Sequence, residues 1–146
     1  MSHPATHNAA NHYSQVDTYT GVNEADSHRL VLMLLNGALS NIAVAKGSIE
    51  RQDVSAKGEA IGQAISIVNG LRTSLDLGAG GELAVNLDNL YDYMERQLLE
   101  ANIHSDPKML EEISGLLHEI KEGWAAIPVE ARAGAGSAQP GAAGAP

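Results

Sequence analysis

The sequence predicts an all-α fold, an antiparallel up-down four-helix bundle preceded by a short N-terminal helix or arm. Three observations carry this prediction. Apolar residues recur at helical spacing through four long segments, and strand-like alternation is almost absent. The connections between those segments are about two to six residues, which makes consecutive helices antiparallel neighbours. The chain has no Phe and one Trp, and aromatics are 3% of its 146 residues, so Leu, Ile, Val and Ala must fill the core. Such a core suits packed helices better than a sandwich.

The first helix is expected over about 24–51. Asn23 stands at the N-cap, with Asp26 three residues on as a capping-box partner. Residues 30–35 read LVLMLL, six apolar residues in a row. At 100° per residue they point in every direction, and a helix apolar all round has to be enclosed by others. This reading puts the first helix at the centre. The run gives way to Asn36, Gly37, Ser40 and Asn41, and no 18 consecutive residues are apolar, so no membrane span is expected.

The second helix is expected over about 53–75, capped by Asp53. Ile61, Ala64, Ile65, Val68, Leu71 and Leu75 form one stripe, and Ile67 widens it to roughly 160°. One neighbouring helix does not need so broad a face. The GAGG run at 78–81 makes the following turn. The third helix, about 82–102, carries Leu83, Leu87, Leu90, Tyr91, Met94, Leu98 and Ala101 on one face. Val85, Leu99 and Ile103 lie on the other side, where a singly covered helix should be polar. The fourth, about 107–127, starts with Asp106 as N-cap and Pro107 at the first helical position. Its stripe of Met109, Leu110, Ile113, Leu116, Leu117, Ile120, Trp124 and Ile127 is narrow, and Pro128 stops it.

The division expected is a mobile N-terminal arm (1–22), the bundle (23–128) and a disordered Ala/Gly/Pro-rich tail (129–146), which cannot bury enough surface to offset chain entropy. The net charge of −9 argues against nucleic acid and anionic lipid as partners. The absence of Cys excludes disulfides and thiolate metal sites. No Glu is followed three residues later by His, so the di-iron bundle motif is missing, and no phosphate-cradling loop occurs. We therefore expect no cofactor, no metal and no enzyme. HEIKEG (118–123) is a near match to the motif of histidine phosphotransfer bundles, with Glu122 where Gly is needed. A signalling bundle using His118 is thus the alternative reading.

Seven glycines, Gly37, Gly47, Gly58, Gly62, Gly70, Gly115 and Gly123, fall within helical pattern, at a cost of about 1 kcal/mol each relative to Ala. Close helix packing and an open groove both account for them. The broad second stripe and the back-face residues of the third helix favour a groove, since large exposed apolar surface marks a partner site.

Three stretches, DVSAKGEAIGQAISIVNGLRTSLD (53–76), GGELAVNLDNLYDYMERQLLEAN (80–102) and LLHEIKEGW (116–124), resemble the flagellar secretion chaperone FliS family. The spacing of Ser27, Leu30 and Leu34 fits, as does the Y-x-Q-V of 13–16, and the resemblance spans about 12–127. Leu35 and Asn36 depart from it, where the family often has an aromatic residue and Asp, and Gln97 replaces a common second Arg. The resemblance implies a cytosolic, non-enzymatic chaperone that binds the disordered C-terminal segment of flagellin in apolar grooves and blocks its premature polymerisation. It implies the flagellar export gate and other flagellar regulators as further partners, and an N-terminal arm that occupies the groove of the free protein. On this basis Ile61, Ile65, Ile67, Val68 and Leu71 of the second helix, with Leu87, Leu90 and Tyr91 of the third, are expected to form the client wall, and Tyr13 to plug it. Coupled folding and binding buries roughly 1,000–3,000 Å², which demands apolar faces of this breadth.

Overall fold

The computed structural model describes residues 24–76, 78 and 80–128. The expected arm (1–22), Tyr13, the Asn23 cap and the expected tail (129–146) lie outside them. Four helices make up the described chain: α1 (Glu24–Glu50), α2 (Val54–Thr73), α3 (Gly81–His104) and α4 (Pro107–Ala125).

The boundaries follow from local chemistry. Asp53 is extended, and its carboxylate accepts from the Ala56 amide at 3.1 Å, satisfying one of the orphan donors at the start of α2. Asp106 does the same for the Lys108 amide at 2.9 Å, with Pro107 opening α4. α3 begins after Gly80 without a side-chain cap, and Gly81 takes φ +60°, where a Cβ would be strained.

The main packing forms a closed ring, in which α1 lies on α2 and α4, and α3 lies on α2 and α4. Cross-links at both ends fix the directions. Lys57, early in α2, reaches Asn102 late in α3, while Arg72, late in α2, reaches Asp88 early in α3. Lys46 pairs with Glu111, and His28 at the start of α1 meets Trp124 at the end of α4. The α2–α3 and α1–α4 pairs are therefore antiparallel, and the short turns predict the same of α1–α2 and α3–α4.

The core runs down the ring axis through Leu35 and Ile42 of α1, Ile61 and Val68 of α2, Met94 and Leu98 of α3, and Leu110, Ile113 and Leu117 of α4. Each is essentially inaccessible, and burying a side chain of this size contributes about 1.5–3 kcal/mol. At one end of the bundle the His28 and Trp124 rings stack at 5.2 Å. A carbonyl only accepts, so His28 Nε2–H donates to the Trp124 carbonyl at 2.7 Å, and the Trp124 indole N–H returns a bond to the His28 carbonyl at 3.0 Å.

One expectation is corrected. α1 is not the enclosed centre. It has two main neighbours like the other helices, and within its apolar run Met33 is 50% exposed while Leu32 and Leu34 are half-buried. Four helices in a ring leave each one an outer face, whatever residues occupy it. Ser27–Glu50 is long and apolar enough to cross a membrane by length and composition alone, a test that the core helix of a bundle also passes. Its inner stripe packs on α2 and α4.

Candidate protein-docking surface

The structure divides the expected wall. Ile61, Val68, Leu71 and Tyr91 are buried in the core. Ile65, Ile67, Leu87 and Leu90 are half-buried and pack against it, so these four reach the surface. Burial pushes the Tyr91 phenol up to about 12.

Apolar residues that the core does not need collect along the outside of the α2–α3 pair. Asn69 of α2 donates to Glu95 of α3, which places those two residues on facing rows. Going back along α2 from Asn69 in steps of three and four gives Ile65, Gly62 and Gly58. Going forward along α3 from Glu95 in steps of four gives Leu99 and Ile103. The Lys57 and Arg72 cross-links fix the register, so the Gly58–Gly62 turn of α2 runs beside residues 98–102 of α3. Leu99 is 53% exposed, and Ile103 and Val54, at the foot of α2, are each 70% exposed.

The glycines leave this seam open. A Cβ built at Gly58 or Gly62 would meet nothing within 4 Å. The same is true of Gly70, Gly115 and Gly123. Only Gly37 matches the close-packing reading between helices, its Cβ position lying 3.4 Å from Ile67 Cδ1, and Gly47 faces Arg51 of its own helix. A shallow apolar strip thus has glycine on one side and Leu99 and Ile103 on the other. A second, smaller outer strip combines Met33 and Val44 of α1 with the half-buried Ile67.

Polar groups close the α2–α3 seam at both ends. At the upper end Arg72 donates to Asp88 at 2.9 Å, to Asp92 at 3.2 Å and to Glu95 at 3.4 Å. The Asp88 hydrogen bond raises the Arg72 pKa above its already high ordinary value. Arg96 shares Asp92 at 3.1 Å. At the lower end the buried Lys57 ammonium donates to the Asn102 carbonyl at 2.8 Å and to Ser105 Oγ at 2.6 Å. Ser105 has φ 50°, the left-handed turn that ends α3, and a cation there also complements the helix dipole.

The outer face of α4 is chemically different. Glu111, Glu112, His118, Glu119 and Glu122 are all exposed on it. Glu112 accepts from the Tyr93 hydroxyl, which holds that phenol above its ordinary range, and Glu111 pairs with Lys46. Among the described residues no three His, Asp or Glu side chains are grouped to hold a metal.

A strip of this kind suits a protein chain, and comparison with known proteins gives it a family. The family model for flagellar protein FliS matches residues 9–131, which include all four helices. The chain belongs to the FliS family. It is 47% identical over 119 residues to the flagellar secretion chaperone FliSB of Pseudomonas aeruginosa, covering 82% of this chain and 94% of that protein. It is 47% identical over 120 residues to the flagellar secretion chaperone FliS of Salmonella typhimurium, covering 82% of this chain and 89% of that one. The Vibrio cholerae flagellar secretion chaperone FliS is 36% identical over 118 residues, covering 81% and 87%.

Sequence reasoning marked Leu99 and Ile103 as out of place but did not put them in the site. Val54 was missed altogether. It directly follows a cap residue, where a single apolar side chain carries no periodic signal.

Proposed function

We propose that this protein is a flagellar export chaperone that takes the disordered C-terminal segment of flagellin on its α2–α3 seam, keeps it from polymerising early, and hands it to the flagellar export gate. It acts in the cytosol and without catalysis. The observation that supports this most is the open apolar seam of Ile65, Leu99, Ile103 and Val54 beside Gly58 and Gly62, in a member of a family of flagellar secretion chaperones. A disordered client gives up chain entropy on binding, so it needs a long apolar contact, and an amphipathic helix laid between two helices provides one. Ile67 extends the contact on the α1 side of α2, beside Gly37, and the half-buried Leu87 and Leu90 extend it along α3. Ile61, Val68, Leu71 and Tyr91 back the wall from within. Tyr13 is the arm residue that competes for the seam when the client is absent.

The test is co-elution with the C-terminal segment of the flagellin encoded in the same genome. The wild-type chain forms a one-to-one complex in which the segment gains helix. Leu99→Asp with Ile103→Asp loses it while keeping the helical signal of the free bundle. A doubly substituted chain that still co-elutes removes the seam from the account.

A further inference from the structure

We infer that Arg72 and Lys57 are positioning residues that hold the α2–α3 seam at its docking width. This rests on the reading of the seam proposed above. The two cations are the polar ties from α2 to α3 at opposite ends of the strip, and between them lies the Asn69–Glu95 contact at 3.3 Å. Apolar packing beneath the seam is non-directional and tolerates sliding. Hydrogen bonds to fixed carbonyls and carboxylates do not.

The two ties differ in kind. Arg72 uses its planar fork on Asp88, with Oδ1 at 2.9 Å and Oδ2 at 3.5 Å, and adds Asp92 and Glu95 from the next two turns. This spans residues 88–95 of α3 and sets register as well as distance. The network is partly wet: the Arg72 side chain is 26% exposed and that of Asp92 43%. Lys57 is buried and donates to neutral acceptors at the end of α3. Salt therefore loosens the upper tie and spares the lower one, since screening acts over about 3 Å at 1 M salt but only where solvent reaches. The seam has a fixed foot and an adjustable top. If losing a tie leaves one molecule in ten with the seam at docking width, apparent affinity for a segment laid in it falls about tenfold.

The chain has no Cys, so paired spin labels go only where cysteines are introduced. Thr73 with Asn89 reports the upper end and Glu59 with Glu100 the lower, all four being exposed. In the free protein, Arg72→Gln or 1 M salt lengthens and broadens the upper distance and leaves the lower one unchanged. Lys57→Met does the reverse, with Lys57→Gln in its place should the Met variant not fold. Each substitution weakens binding of a synthetic flagellin C-terminal peptide about tenfold, and Arg72→Lys, which keeps the charge without the fork, falls between. Unchanged distances in both variants overturn the assignment. So does a changed distance with unchanged peptide affinity. Should the wild-type chain not bind the peptide, the flagellin reading fails, while the distances in the free protein still decide whether the two cations hold the seam.

Discussion

Alanine at both Gly58 and Gly62 should make the protein more stable and a poorer binder. Both glycines are inside α2, where Gly costs about 1 kcal/mol relative to Ala because the unfolded chain is freer and the helix backbone more exposed. In the free protein a Cβ at either position meets nothing within 4 Å, so no steric term opposes the gain. The two sites together yield about 2 kcal/mol. For a domain of this size that is a rise in Tm on the order of 8 °C. Binding moves the other way. Two methyl groups would stand in the floor on which the partner helix lies, and overfilling a packed contact costs about 1–3 kcal/mol. Affinity for the flagellin segment should drop about tenfold or more. Thermal unfolding followed by circular dichroism and titration calorimetry with the peptide read the two effects separately. A lowered Tm would mean that something already lies against these glycines in the free protein. A raised Tm with unchanged affinity would mean that the partner does not sit there.

Two further predictions concern buried rings. The Tyr91 phenol is neutral in the folded state up to about 12, against an ordinary value near 10. Its folded value is raised, so its contribution is complete below pH 10 and is lost as pH climbs toward 12. Tyr91→Phe should abolish an alkaline loss of about 1.4 kcal/mol at pH 11 and change little at pH 7. Denaturant unfolding of both proteins at pH 8 and pH 11 measures the difference, and identical pH dependence would refute the cause given. At the His28–Trp124 clasp, His28→Phe keeps a ring to stack but removes the donor to a buried carbonyl, at a cost of about 1–3 kcal/mol. The sole Trp reports this end of α4 by fluorescence, and an unchanged unfolding midpoint would show that the clasp contributes nothing.

Periodicity made the four helices legible because each buries one face, and Asp53, Asp106 and Pro107 marked their starts through chemistry that acts within three residues. The site was only half legible. A wide stripe says that a helix has more apolar surface than one neighbour covers, but it does not say which residues the second neighbour takes. Ile61, Val68 and Ile65 share the α2 stripe, yet the ring of four helices turns the first two inward and leaves the third at the edge. Leu99 and Ile103 were readable as exceptions on α3, and their meaning depends on α2 lying beside them in antiparallel register. That register comes from Lys57 and Arg72, whose partners are 45 and 16 residues away in sequence and carry no local pattern. The same holds for the apolar run of α1. Six consecutive apolar residues indicate enclosure on a helical wheel, but enclosure is a property of the neighbours, and a ring leaves Met33 outside.

The central claim is that the flagellin segment lies on the α2–α3 seam and not on the acidic face of α4. A photo-crosslinking residue placed at Leu99, and in a second protein at His118, tests it most directly, since both positions are exposed and lie on different helices. With the flagellin C-terminal segment present, the account predicts strong crosslinking from Leu99 and background from His118. Crosslinking from His118 with none from Leu99 would contradict it and move the docking surface to α4.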